Sequence, residues 1–169
     1  MIEDIHPSVA RVRAALGQLG GNPDLVRKLD QSARTSAEAA AALGVSVAQI
    51  VNSLVFLAVG EFDEFPVLVL SSGGHRVDLN LIASAFGVTE VKKADADLVK
   101  SATGFAIGGV SPIGHTSKIP TVIDLDLGIF EEVWAAGGHP YWVYPTSLEQ
   151  LVEMTKAPAV IVSATPLIK

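Results

Sequence analysis

Residues Thr103 to Gly114 read Thr-Gly-Phe-Ala-Ile-Gly-Gly-Val-Ser-Pro-Ile-Gly. Four glycines and a proline in a dozen residues oppose a helix, because glycine costs backbone entropy and proline removes a donor. Such a segment keeps main-chain N–H groups bare and lets a ligand approach the backbone closely. The doublet Gly108-Gly109 followed by Pro112 describes a rigid loop able to aim amides at an oxygen. No Gly-Lys-Ser/Thr follows, so the spacing is not that of a Walker phosphate loop. A plain glycine-rich turn between two strands fits the same composition.

The other polar candidates are scattered. His139 follows Gly137-Gly138 and precedes Pro140, which suits either a ligand contact or the end of a helix. His75, in Gly-Gly-His-Arg, reads as a turn histidine, Arg76 as a surface charge and His115 as a solvated loop residue. Asp124 and Asp126 stand two apart near a strand end, where one caps the following helix. Four histidines without recurrent spacing, and no cysteine, give no metal-ligand pattern. Neither a metal nor a cofactor is expected. The lack of cysteine also excludes disulfides and thiolate catalysis.

The net charge of −6 argues against coating a nucleic acid, which needs many Lys and Arg facing phosphates. DNA is therefore not an expected partner. A few of the twelve basic residues could still form a local patch for one RNA end. No apolar run approaches the ~20 residues of a membrane helix, and the acidic start Met-Ile-Glu-Asp lacks a signal-peptide pattern. A cytoplasmic protein without a membrane partner is expected. At 169 residues, 49% hydrophobic and a mean hydropathy of +0.42, residues 1–169 suit one domain with a sizeable core.

These residues need elements to position them. Ser8 to Leu19 has Val9, Val12, Leu16 and Leu19 on one face and Gly20-Gly21 as a stop, the pattern of a helix. Leu25 to Leu29 suits a short strand. Thr35-x-x-Glu38 opens an alanine-rich helix as a capping box, and Gly44 ends it. Ser46-x-x-Gln49 repeats the signal. Ser53 to Val59 and Pro66 to Leu70 are β-branched runs of strand type, with a turn at Gly73-Gly74. Asp78 caps a helix ending at Gly87, and a further helix near Ala94 to Ser101 leads into the glycine loop. Thr121 to Leu125 reads as a strand, Leu127 to Ala136 as a helix and Tyr141 to Tyr144 as a strand. Ser147 caps a last helix, and Ala159 to Val162 is a last strand. This irregular alternation with short turns favours a mixed sheet. No Gly-x-Gly-x-x-Gly follows the first strand, so a dinucleotide fold has no support.

Thr35-Ser-Ala-Glu38, Gln49-Ile-Val-Asn52-Ser-Leu-Val-Phe56, Val67-Leu-Val-Leu-Ser-Ser-Gly-Gly-His-Arg-Val-Asp78, the loop 103–114, Val122-Ile-Asp124 and Trp134-Ala-Ala-Gly-Gly-His139 occur in this order. Together they make the chain resemble the YbaK/EbsC family, which includes the editing domain of bacterial prolyl-tRNA synthetases, over roughly residues 8 to 163. The resemblance implies an α+β fold: a single domain with a strongly twisted mixed β-sheet flanked by helices. It implies hydrolysis of the ester bond of mischarged aminoacyl-tRNA, such as Cys- or Ala-tRNA(Pro), without metal or protein nucleophile. Its partners would be an aminoacyl-tRNA acceptor end and an aminoacyl-tRNA synthetase.

On that reading the family's Gly-x-x-x-Pro loop maps onto Gly108 to Pro112, and its functional histidine onto His139. Asn52, Gly108 and Gly109 become the catalytic candidates. Thr35, Phe56, Ser71, Gly73, His75, Ser111, Pro112, Gly114 and His139 become the substrate-binding ones, all expected around one cleft. One position departs from the pattern. The family's lysine at the start of the strand is here Asn52, which can hydrogen-bond but carries no charge. A non-catalytic module that binds an amino acid or a tRNA end is therefore the alternative to a free-standing deacylase.

Overall fold

The computed structural model describes residues 5–167, so the acidic Met1–Asp4 segment lies outside it. Its centre is a ten-residue strand, β2 (Ile50–Val59), paired along its length with antiparallel β3 (Glu64–Ser72). Both are rich in Val, Leu and Ile because both faces of the sheet are covered. Around them run β1 (Arg27–Lys28), β4 (Glu90–Lys93), β5 (Thr121–Asp124), β6 (Val133–Ala136), β7 (Trp142–Thr146) and β8 (Ala159–Val160). The order is β1-β7-β6-β2-β3-β5-β8, with β4 added to β2. The β2/β6, β3/β5 and β5/β8 pairs are parallel and the rest antiparallel, so the sheet is mixed.

Helices α1 (Pro7–Gln18), α4 (Ala96–Thr103) and α5 (Leu148–Thr155) cover one face. There Val9, Val12, Val99 and Leu151 pack against Val51, Val55, Leu68 and Leu70. On the other face α3 (Leu79–Phe86) lays Ile82 and Ala83 on Val69, Val91 and Val122. Beside it α2 (Ser36–Leu43) lays Ala39 and Ala40 on Ile50, Trp134 and Val143. The expected caps are present: Thr35, Asp78 and Ser147 accept main-chain N–H groups of α2, α3 and α5, and Gly44 and Gly87 end α2 and α3 in the left-handed region.

Two expectations are corrected, and one strand, β4, was not foreseen. Leu127 to Ala136 is not a helix: a 3-10 turn (Leu125–Ile129) is followed by β6. Val133, Trp134 and Ala135 are buried in succession, as an inserted strand between β2 and β7 demands and a one-sided helix does not. Strand β4 has three charged residues of four and only Val91 buried, so it lacks an apolar signature and behaves as a charged edge. The Ser46 signal opens only a 3-10 turn (Val47–Gln49), since β2 begins at once.

One buried group locks the far end of the sheet. The Asp124 carboxylate, 1% exposed, accepts from Ser72 N at 3.0 Å, from Asp126 N at 3.0 Å and from His75 Nδ1 at 2.7 Å. His75 Nε2 donates to the Thr165 carbonyl at 2.8 Å, and Leu167 N donates to Asp126 at 3.1 Å. The ends of β3 and β5 and the C-terminal segment thus meet at one carboxylate. Replacing it strands buried donors, each costing roughly 1–3 kcal/mol. Asp124→Ala should lower the unfolding free energy by about 3 kcal/mol or more, read by urea denaturation.

Candidate functional site

The sheet has a break in its hydrogen bonding. One edge of β2 is covered by β3 throughout. The other is shared by β6, which pairs at Ile50 and Val51, and β4, which pairs from Phe56 to Val59. Residues 52–55 have no strand partner on that edge. A cavity of about 310 Å³ opens there. Asn52, Ser53, Leu54, Val55 and Phe56 form its floor, Thr35, Ser36 and Ala39 of the α2 end one wall, and Val99, Ile107, Gly108 and Val110 the other. Apolar walls with a few convergent polar groups suit a small ligand.

Of the expected residues, Asn52, Gly108, Thr35 and Phe56 line this cavity. The Asn52 Oδ1 accepts the hydroxyl proton of Ser36, which pins the first turn of α2 to β2. Thr35 Oγ1 accepts from Glu38 N at 3.1 Å. Glu38 reaches Arg34 N at 3.3 Å, not the Thr35 N–H, so the capping box is displaced by one residue. Ser71 and Gly73 lie behind the floor. Ser71 is buried opposite Asn52 in the β2/β3 ladder. Gly73 has no room for a side chain, since a Cβ would stand 2.6 Å from the Val47 carbonyl and 2.9 Å from Ser36.

The single cleft expected around all these residues is not what the chain forms. His75 sits in the Asp124 network with both ring nitrogens engaged. The donor atoms of His75, Asp124 and Asp126 all lie within 4.8 Å of one another, as a cation site would require. They are already occupied by Ser72, Thr165 and Leu167. Ser111 is fully buried and accepts from Ile113 N at 3.2 Å through its hydroxyl. Pro112 and Gly114 line a separate depression with His115 and Lys118. His139 is also outside the cavity lining. Its ring lies against His6 and Tyr141, at centroid distances of 4.9 and 6.1 Å.

The two loop glycines separate in role. Gly108, at φ +92°, faces the cavity, and the Arg34 side chain lies across it. Gly109 N–H already donates to the Ala106 carbonyl at 3.1 Å. A Cβ on Gly109 would stand 2.8 Å from His139 Cα and 2.9 Å from His139 N. Gly109 is a packing position, and the expectation that a larger residue there would block a ligand gives way to a clash with backbone. Sequence reasoning missed Arg34, Ser36, Ser53, Lys93 and Trp134. Only Ser36, inside the Thr35 cap, and Ser53, beside Asn52, had a local signal.

Burial pushes the His115 pKa down, with Arg11 adding to the effect against the bond to the Ser111 carbonyl. Burial also lowers that of His139, helped by His6, Lys28 and Arg34. A histidine depressed by folding contributes its full stability above its ordinary value of 6.5 and loses it as pH falls below that. The stability difference between wild type and His115→Gln should therefore shrink as pH drops from about 8 to about 5. Gly109→Ala should cost roughly 1–3 kcal/mol of unfolding free energy, measured by the urea midpoint.

Comparison with known proteins places this geometry in a lineage. Residues 30–154 match the family model of the aminoacyl-tRNA editing domain. A solved structure described as a candidate trans-editing enzyme for prolyl-tRNA synthetase superimposes with a TM-score of 0.84. It is 40% identical and covers 96% of this chain and 100% of that one. A proline–tRNA ligase of Limosilactobacillus fermentum is 34% identical over 65% of this chain, though the match spans only 19% of that ligase. A candidate Cys-tRNA(Pro)/Cys-tRNA(Cys) deacylase, EbsC of Enterococcus faecalis, is 34% identical over 52% of each chain. With its mixed twisted sheet and its break beside β2, this chain belongs to the YbaK/EbsC family of aminoacyl-tRNA editing domains.

Proposed function

We propose that the chain is a trans-editing deacylase that hydrolyses the ester of a tRNA mischarged with a small amino acid, of the Cys- or Ala-tRNA(Pro) kind. The observation that carries this reading is the charge of the cavity. The chain has 18 acidic and 12 basic residues, yet among the described residues the lining holds Arg34 and Lys93 and no carboxylate. The N-terminus of α2 also faces it through Thr35 and Ser36, adding a partial positive charge. Glu38, beside this wall, is turned back to Arg34 N. The site suits a ligand with an anionic portion outside and a small neutral-to-polar group inside. The acceptor end of a charged tRNA has that form, with its phosphates at the rim and its aminoacyl group below. Among the described residues no helix is long and apolar enough to cross a membrane; the proposed work is in the cytoplasm beside a synthetase.

The chemistry is ester hydrolysis. Water attacks the carbonyl carbon, the carbonyl electrons move onto oxygen, and collapse breaks the bond to the ribose oxygen, which takes the proton. Among the described residues no His, Asp or Glu lines the cavity, so the neighbouring ribose hydroxyl is the group that orients the water on this reading. Protein catalysis then consists of positioning and of donors for the oxyanion.

Asn52 favours a second reading, a binding module without turnover, because the family's lysine is absent. Arg34 and Lys93 answer that objection by supplying rim charge from two other elements. In single-turnover assays with Ala-, Cys-, Ser-, Thr- and Pro-charged tRNAs, wild type should deacylate at least one. Arg34→Gln and Lys93→Gln should each flatten the salt dependence of tRNA affinity by about 0.7 in log–log slope, and Asn52→Lys should steepen it similarly. Activity absent in wild type but restored in Asn52→Lys would select the binding module. Inactivity in all would reject the tRNA substrate class.

A further inference from the structure

The break beside β2 leaves main-chain groups facing the cavity, and alternation along the strand identifies them. The Ile50 carbonyl accepts from Gly73 N at 2.7 Å on the β3 side. The Val59 carbonyl accepts from Thr89 N at 3.1 Å on the β4 side. Backbone groups of successive strand residues turn to opposite edges. Odd-numbered residues of β2 therefore turn theirs toward β6 and β4. Val51 is paired by β6 and residues from Phe56 onward by β4. Ser53, in the middle of the gap, presents its N–H and C=O to the cavity without a ladder partner.

The side chain repeats the message. Ser53 Oγ is buried, lines the cavity and has no hydrogen-bond partner among the described residues. On the strand it shares a face with Val51 and Val55, which pack with Val99 and Val110 of the opposite wall. It therefore looks toward the glycine loop, whereas Asn52 looks toward α2. A buried hydroxyl without a partner, beside an edge amide without a ladder partner, is costly unless a ligand satisfies it. The hydroxyl is not an activated nucleophile, because no His, Asp or Glu lines the cavity to take its proton.

We propose that Ser53 holds the scissile carbonyl oxygen, its main-chain N–H and Oγ–H donating to the oxyanion as it forms. This rests on the deacylase reading and deepens it. It also relocates the donor pair expected at Gly108-Gly109: the Gly109 amide is engaged in its own turn, and Ser53 stands on the facing strand with its amide free. During attack the electron pair of the carbonyl bond moves onto the oxygen between these donors. It returns when the ribose oxygen leaves, and Ser53 keeps its proton throughout.

Two measurements decide it, on the full chain with folding checked by thermal melting. In single-turnover deacylation with the best charged tRNA, Ser53→Ala should slow the chemical step about 100-fold while tRNA affinity stays within about twofold. Ser53→Thr, which keeps the hydroxyl, should recover most of the rate, a rescue that a packing role for a small residue would not give. A rate for Ser53→Ala within about threefold of wild type overturns the proposal. The second measurement needs no turnover. A 3′-linked adenosine phosphonate carries a tetrahedral anionic oxygen where the oxyanion forms, and the matching amide carries a planar carbonyl. Calorimetry should show the phosphonate binding about 100-fold more weakly to Ser53→Ala than to wild type, with the amide nearly unchanged. Equal phosphonate affinity in the two proteins, or no binding by either, overturns the assignment. Wild-type inactivity on every charged tRNA with this discrimination intact rejects turnover and upholds the oxygen site at Ser53.

Discussion

The unpaired edge of β2 between β6 and β4 is the constraint around which the rest is arranged. An unpaired strand edge in a buried sheet is costly, because each main-chain donor or acceptor away from water must find a partner. Here the cost is confined to residues 52–55. Strand β3 holds β2 along its full length on the other side, so the break does not loosen the strand. Helix α2 seals the gap from one face, and α4 with the glycine loop seals it from the other. A narrow place is left where backbone groups are ordered, half-dry and free. Oxyanion chemistry needs that combination, since donors must be in place before charge develops.

The Asp124 network and the open cavity lie on opposite edges of the β2/β3 pair. The Asp124 carboxylate gathers β3, β5 and the C-terminal segment into a closed network in which every donor has an acceptor. The cavity end holds the opposite arrangement, with Ser53 Oγ and the Trp134 indole nitrogen buried and unpartnered. A fully satisfied network rigidifies its surroundings. The family resemblance placed His75 and the loop glycines around one cleft. Their environments separate them, as His75 closes the satisfied network and Gly108 borders the open one.

Much of the fold was legible because local chemistry and tertiary context agreed. Thr35, Asp78 and Ser147 cap the helices they were expected to cap, and Gly44 and Gly87 end theirs in the left-handed region. Legibility failed where packing overrode propensity. Leu127 to Ala136 reads as an amphipathic helix, but a slot between β2 and β7 takes its second half as a strand. The cavity lining was legible at Asn52 and Gly108, where a motif and a backbone need coincide. It was illegible at Lys93, and the place of Ser53 comes from where two other strands stop pairing.

The neutral residue at position 52 acquires a physical meaning from its partner. Asn52 Oδ1 takes the Ser36 hydroxyl and so ties β2 to the first turn of α2. A lysine has no acceptor and would reverse that bond, making Ser36 the acceptor. The chain has thus placed a positioning contact where relatives of the pattern carry a charge, while Arg34 and Lys93 at the rim carry charge instead. A cation in the floor would stand beside the Ser53 amide and stabilise an oxyanion directly. On the proposed reading, cations at the rim would act on the phosphates and leave the oxyanion to neutral donors. Such a site depends more heavily on the geometry of its hydrogen bonds than on its field, because a neutral donor loses its effect with small misalignment. The long β2/β3 ladder and the Asn52–Ser36 tie supply the rigidity that this dependence requires.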